Sequence, residues 1–366
     1  MTSKERILCA LAREETDRFP WAPLIDGYYL SYLATLGYRA DVADAVRMVG
    51  ADIIERHVPA CRFSHTGPVT YHQEETGDGT VIARFETPVG ILTQVSELIH
   101  GSETYRKFLI ENLEDVSIMQ YVEEHKQLAP SYEPVETAQA RIGEDGIATV
   151  SASSTPLATL SEMHMGLERF VYMLYDHTAE MEALMSVMHE NNKQEHAILA
   201  RSPSPVVFMY EDTSTTTISR DLYQRYCRSQ IDDYAAIVQR EGKPYIVHMC
   251  GKLKGLADLI GATAMDGVDS LCPPTTGDLW AHEALTLWPD KVVVGGLEPA
   301  YLERASVPEV RAYVLRVLEN AAPGRGLVLS TGDATAYGTP LENLRAVTEV
   351  VQRFNMSLGA ETTTGD

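Results

Sequence analysis

Eight short runs rich in valine, isoleucine and leucine recur along this chain, at 19–25, 51–55, 148–153, 205–211, 245–250, 268–272, 291–296 and 327–332. Helical periodicity fills much of the space between them, at 30–49, 167–201, 219–241, 253–261, 307–320 and 341–355. Strands that are apolar on both faces belong in a parallel sheet covered by helices, because an antiparallel sheet with one wet face would alternate. Eight such strands with helical crossovers point to a closed (β/α)8 TIM barrel.

Two additions to the plain barrel are expected. A short amphipathic helix at 3–12 precedes strand one, and an insertion at 62–139 follows strand two. Within the insertion, Gly77-Asp78-Gly79 separates Thr70-Tyr71-His72 from Val81-Ile82-Ala83-Arg84, a hairpin pattern, so the insertion reads as a lid. Residues 361–366 read as a frayed tail. Nothing in between is rich enough in Pro, Gly or Ser to divide the chain, so 1–366 is expected to be one barrel domain.

Composition narrows the function. A formal net charge of −22 opposes general attraction to nucleic acid, which needs clustered Lys and Arg. No apolar run reaches eighteen residues, and the opening Met1-Thr2-Ser3-Lys4-Glu5-Arg6 has no signal-peptide core, so the expectation is a cytoplasmic protein without a membrane role. Five cysteines, at 9, 61, 227, 250 and 272, suit free thiols or metal ligands better than a disulfide framework.

In a barrel of this kind the chemistry sits at the C-terminal ends of the strands. Strand five runs Pro244-Tyr245-Ile246-Val247-His248-Met249-Cys250-Gly251, and residues two apart share a face, so His248 and Cys250 can reach one ion. Imidazole and thiolate are ligands zinc favours. Cys272 ends strand six, Glu211 and Asp212 end strand four, and Asp333 follows strand eight, so one rim collects the candidates. Glu211 and Asp333 are the candidates for proton transfer, and Trp21, Tyr28, Tyr29 and His57 are candidates for an aromatic substrate pocket.

Four stretches together resemble the uroporphyrinogen decarboxylase superfamily. They are Thr2-Ser3-Lys4-Glu5-Arg6-Ile7-Leu8 with Asp17-Arg18-Phe19-Pro20, then Gly166-Leu167-Glu168-Arg169-Phe170, then His248-Met249-Cys250-Gly251, then Gly338-Thr339-Pro340-Leu341-Glu342-Asn343-Leu344. The resemblance implies a (β/α)8 barrel. It also distinguishes branches: true decarboxylases carry an arginine-rich segment after strand one and an aspartate after strand two. Here those places read Pro20-Trp21-Ala22-Pro23-Leu24-Ile25-Asp26-Gly27 and Glu55-Arg56-His57-Val58-Pro59. The chain therefore looks like the corrinoid-dependent methyltransferase branch, whose zinc ligands are a His-x-Cys pair and a later cysteine after strand eight. His248 and Cys250 match the pair, and Asp333 stands where the later cysteine is expected.

The metal set that follows from the resemblance is His248, Cys250 and Cys272, with Asp333 or Glu211 next. The implied reaction is zinc-dependent methyl transfer between a small ether, alcohol, amine or thiol and a corrinoid (cobalamin), with a corrinoid protein as partner. A carboxylate ligand places less charge on zinc than a thiolate and so favours O-demethylation. The alternatives are a metal-free decarboxylase-like lyase and a non-catalytic barrel that binds a tetrapyrrole or corrinoid. An oligomer is compatible with all of them.

Overall fold

The computed structural model describes residues 1–354 apart from 78, 100, 101 and 323. The expected tail at 361–366 and the central Asp78 of the hairpin turn lie outside the described residues. Strand two is Ile53–Glu55, and strand three is Gly146–Ala148 continued by Val150–Ala152. Strands four to eight are Val207–Tyr210, Tyr245–His248, Gly267–Leu271, Val292–Leu297 and Leu327–Thr331. Strands three to eight form a parallel sheet in sequence order, and strand two pairs parallel with the first part of strand three.

Strand one closes the ring. Trp21 bridges Leu329 in parallel, the Ala22 N–H donates to Leu329 O at 2.9 Å, and the Leu329 N–H donates to Pro20 O at 2.9 Å. On its other side the Asp52 N–H donates to Trp21 O at 2.7 Å. The chain is thus a (β/α)8 barrel.

Period-two alternation divides the buried residues into two layers. Ala22, Ile54, Ile147, Phe208, Ile246, Val294 and Val328 pack inside the barrel. Helix Ser3–Leu11, started by a Thr2/Glu5 capping box, adds Ile7, Ala10 and Leu11 to the same cluster and plugs the lower end. The opposite parity, including Val207, Met209 and Val247, joins the larger layer between strands and helices.

Several long helical patterns are broken in the fold. The 30–49 pattern becomes Gly27–Thr35 and Val42–Val49, with Gly37 at φ 87° between them. The 167–201 pattern becomes Leu167–Asp176 and Thr178–Ala200, and the 219–241 pattern contains a π-helical turn at Tyr223–Cys227. Between strands two and three, Cys61–His65 pairs with Lys126–Pro130, enclosing a four-stranded antiparallel sheet and helix Leu113–Glu124. Helix Glu133–Ile142, at the end of the expected insertion, is the crossover that packs on strand three.

The lower end is fastened by one carboxylate. Asp52 is fully buried and accepts from Arg6 Nη1 at 2.9 Å, Arg18 Nη1 and Nη2 at 2.9 Å, Ser3 Oγ at 2.5 Å and the Trp21 N–H at 2.9 Å. It ties strand two, strand one and the plugging helix together. Removing one partner of a buried pair leaves the other charges uncompensated. Asp52→Asn is therefore expected to cost about 3 kcal/mol of unfolding free energy, read by urea denaturation. A loss under about 1 kcal/mol would show that the clasp behaves like a surface ion pair.

Candidate metal centre

Phe208 and Ile246 face the barrel interior side by side in register. The same parity carries Tyr210 and Asp212 inward on strand four, and His248 and Cys250 inward on strand five. The two loops that continue these strands are knitted together. The Ser214 hydroxyl accepts from the Lys252 N–H at 3.2 Å, and the Thr215 N–H donates to Lys252 O at 3.0 Å. A Cβ on Gly251 would lie 2.2 Å from Ser214 Cβ, so no other residue permits this approach without displacement. Asp212 sits at φ 46°, a left-handed conformation uncommon outside glycine, which aims its carboxylate at strand five.

These constraints assemble three donors of different type. Asp212 Oδ1 lies 3.3 Å from His248 Nε2 and 3.6 Å from Cys250 Sγ, and all three ligand atoms fall within 4.8 Å of one another. The other ring nitrogen of His248 lies 2.9 Å from Asp269 Oδ2. Asp269 is fully buried on strand six and also accepts from Arg56 Nη1 at 2.6 Å. The Arg56 guanidinium in turn lies over the Phe208 ring at 5.2 Å. The Tyr210 ring stacks on His248 at 4.4 Å, and His57 stands 4.1 Å from Tyr210 on the far side.

Electrostatics follow from that arrangement. Burial opposes a charged imidazole, but the hydrogen bonds and charges of Asp212 and Asp269 outweigh it and hold His248 well above its ordinary value. Burial likewise pushes Asp212 up, and His248 more than offsets it, leaving that carboxylate below its usual range. Removal from water pushes the Cys250 thiol up. Glu162, on a π-helical turn at Thr159–His164, is pushed up to about 8 by partial desolvation and by the neighbouring Asp212 and Glu211 carboxylates.

With Nδ1 engaged by Asp269, His248 turns Nε2 toward Asp212 and Cys250. Oxygen, nitrogen and sulfur converging in this way fit a zinc ion, and the buried carboxylate behind the imidazole is the support such a ligand needs.

The other sequence candidates are distributed around this centre. Cys272 is buried at the end of strand six, where its thiol donates to Gly332 O at 2.8 Å and burial pushes it up. Asp333 is half-buried and accepts from the Ala334 N–H at 2.7 Å, with His248, Asp212 and Asp269 near enough to act on its charge. Neither is in the set of three converging ligand atoms. Glu211 points the opposite way from Asp212, accepting from the Thr155 N–H at 2.8 Å and the Thr155 hydroxyl at 2.5 Å, and burial raises it to about 7. Trp21 is buried in the layer between strands and helices, and Tyr29 is buried with its hydroxyl donating to Thr339 O at 2.9 Å. Tyr28 packs on Tyr337 with ring centroids 5.1 Å apart. His57 alone of these four aromatics stands beside the centre, and it lines a cavity of about 430 Å³ beneath the inserted strands.

Asp212 stands among the rim candidates of the sequence but outside the metal set read from it, and Asp269, Arg56, Tyr210 and Glu162 are functional candidates that reading the sequence did not single out. Parity from Phe208 would have chosen Asp212 over Glu211. Pairing of Asp269 with His248 depends on the register of strands five and six, which no local pattern reveals.

Residues 101–354 match the family model described as Uroporphyrinogen decarboxylase (URO-D). Among solved structures, a methyltransferase from Methanosarcina mazei superposes with a TM-score of 0.65 at 15% identity, covering 97% of this chain and 99% of that one. At that identity the likeness is one of fold. A xylanase from Cellvibrio japonicus gives a TM-score of 0.37 at 10% identity, covering 61% of this chain and 83% of that one, too remote to support an argument. No curated protein matches the sequence.

Asp269→Asn removes the charge that orients His248 and balances Arg56. Loss of such a supporting partner is expected to weaken zinc binding about 10- to 100-fold, measured by competition with a chromogenic chelator. Unchanged affinity would mean that His248 is held by its strand alone.

Proposed function

The chain belongs to the uroporphyrinogen decarboxylase family, and within it we propose a zinc-dependent methyltransferase that moves a methyl group between a small methylated molecule and a corrinoid carried by a partner protein. The observation that carries this reading is the convergence of Asp212, His248 and Cys250 at the barrel mouth. In this assignment Asp212 takes the third position that Cys272 and Asp333 contest in the sequence.

The mouth is unsuited to a polyanionic tetrapyrrole. Arg56, behind the centre, is committed to the buried Asp269, and the acids Asp212, Glu162 and Asp333 lie around the opening. Porphyrinogen carboxylates would be desolvated there without cationic partners. A compact methylated molecule does not meet that cost.

Bound zinc would supply Lewis acidity, drawing charge from the heteroatom that bears the methyl group. The chain's own residues do the rest. His248 is oriented through Nδ1 by Asp269, which is itself fixed by Arg56. One thiolate and one carboxylate donate less charge than two thiolates, which favours removal of a methyl group from oxygen. Glu162 holds a proton next to Asp212 at neutral pH and is positioned to return one to the departing heteroatom. Asp212 keeps 46% of its side chain exposed, so the centre is approachable from outside by a reactant as large as a corrinoid protein.

Metal analysis of the purified chain tests this directly. A single zinc per chain is expected, absent from His248→Ala/Cys250→Ala, weakened at least about tenfold by Asp212→Ala, and kept within about threefold by Cys272→Ser. Full zinc retention in the double variant would sink the site, and a larger loss in Cys272→Ser than in Asp212→Ala would return the third ligand to Cys272. Turnover is checked by incubating methyl ethers with cob(I)alamin and following the cobalt absorbance.

The pH dependence has a definite sign. Without metal, His248 and Cys250 both lie above their ordinary values, so both are protonated between pH 6 and their raised values and must lose a proton to become ligands. Zinc affinity should therefore rise with pH, with about two protons released per ion, read by calorimetry in buffers of different ionisation enthalpy. Release of none would contradict the ligand set.

A further inference from the structure

The cavity of about 430 Å³ beside the centre has a lining that specifies its occupant. It runs from Tyr210 and His57, whose rings separate it from His248, to the inserted strands Cys61–His65 and Lys126–Pro130. Its apolar wall is Phe63, Phe85, Met119, Val122, Leu128 and Met163. A cavity near 150 Å³ already accepts benzene, so this one takes a substituted ring.

Its charged groups are already engaged within the wall. Lys126 pairs with Glu123 at 3.4 Å, and Glu123 also accepts from Asn191 Nδ2 at 2.8 Å. Glu195 accepts from the Ser153 N–H at 3.1 Å, and burial pushes its carboxyl up toward the neutral form. Burial lowers His57 and His164 to about 4, so both rings are neutral at pH 7. Hydrogen-bonding capacity is left over: Ser151 Oγ and His164 Nδ1 are buried without a partner among the described residues. An anion entering this space would lose its hydration beside a lysine already paired, and a cation would meet only carboxylates already held by Lys126, Asn191 and the Ser153 N–H. A neutral polar group would meet donors and acceptors that the protein itself does not use.

We infer that this cavity holds the body of the methyl donor, and that the donor is an uncharged molecule with a ring-sized apolar body and a hydroxyl or carbonyl group, not a methylammonium, a carboxylate or a sulfonate. This rests on the methyltransferase reading for its role, while the chemistry of the occupant rests on the cavity alone.

Calorimetric titration of the purified chain with four probes sharing one ring tests it: benzyl alcohol, toluene, benzoate and benzylammonium. Benzyl alcohol is expected to bind about tenfold tighter than toluene, and benzoate and benzylammonium at least tenfold weaker than the alcohol. Met163→Trp, at a partly exposed lining position, should weaken benzyl alcohol at least tenfold with an unchanged melting temperature. Ser151→Ala should narrow the gap between alcohol and toluene. Either ion binding as tightly as the alcohol would overturn the proposal, as would absence of binding by all four or wild-type affinity in Met163→Trp. His248→Ala/Cys250→Ala should keep benzyl alcohol within twofold, so failure of the zinc site and failure of the cavity assignment give different results.

Discussion

Asp269 is a buried carboxylate that a barrel of this sort would not tolerate unpaired, and the centre is organised around how it is satisfied. It lies on strand six, where its Oδ2 accepts from Arg56 Nη1 at 2.6 Å and stands 2.9 Å from His248 Nδ1, while its Oδ1 has no hydrogen-bond partner among the described residues. Arg56 comes from strand two, so the interaction reaches across the barrel interior rather than between neighbouring strands. Taking a carboxylate and a guanidinium out of water is repaid only when geometry is good and the remaining donors are used. The imidazole adds a second partner to Oδ2, and that contact fixes it in one orientation with Nε2 at the mouth. Ligand orientation and charge compensation are thus one arrangement.

Much of the barrel is legible from sequence because its strands are buried on both faces and leave uninterrupted apolar runs, as in Val292-Val293-Val294 and Leu327-Val328-Leu329. The helices were less legible where packing overrides period. His177 interrupts a pattern that runs on from 167 to 201, and a π-helical turn at Tyr223–Cys227 widens another. The His248-x-Cys250 pair could be read because both residues lie at the end of one strand. The acid that joins them is harder to pick, since Glu211 and Asp212 are adjacent at one strand end and only the inward parity of Phe208 and Tyr210 distinguishes them. Cys272 drew attention as a zinc-type residue at the right height, but its thiol is turned to Gly332 O.

The net charge of −22 acquires a local meaning at the mouth. Acids gather there, and their crowding raises Glu162 while His248 holds Asp212 below its usual range. Two carboxyl groups side by side in different protonation states are what a centre needs when one must coordinate and the other must carry a proton. The π-helical turn that bears Glu162 also bears Met163 and His164, which line the adjoining cavity. One irregular turn therefore contributes to both the charged mouth and the neutral chamber.

That contrast bears on which heteroatom the centre serves. A thiol substrate would arrive best as a thiolate, and a methylated amine as a cation. In the proposed reading either would have to enter a chamber whose lysine is paired with Glu123 and whose His164 ring is neutral. An ether or alcohol carries no charge until the methyl group leaves, at which moment negative charge appears on oxygen beside the metal ligands and the Glu162 proton. In the proposed reading charge then develops beside groups able to manage it, and Asp212 in place of a second thiolate would act in the same direction. The chamber, the mixed donor set and the raised acid beside it all point the proposed reaction toward removal of a methyl group from oxygen.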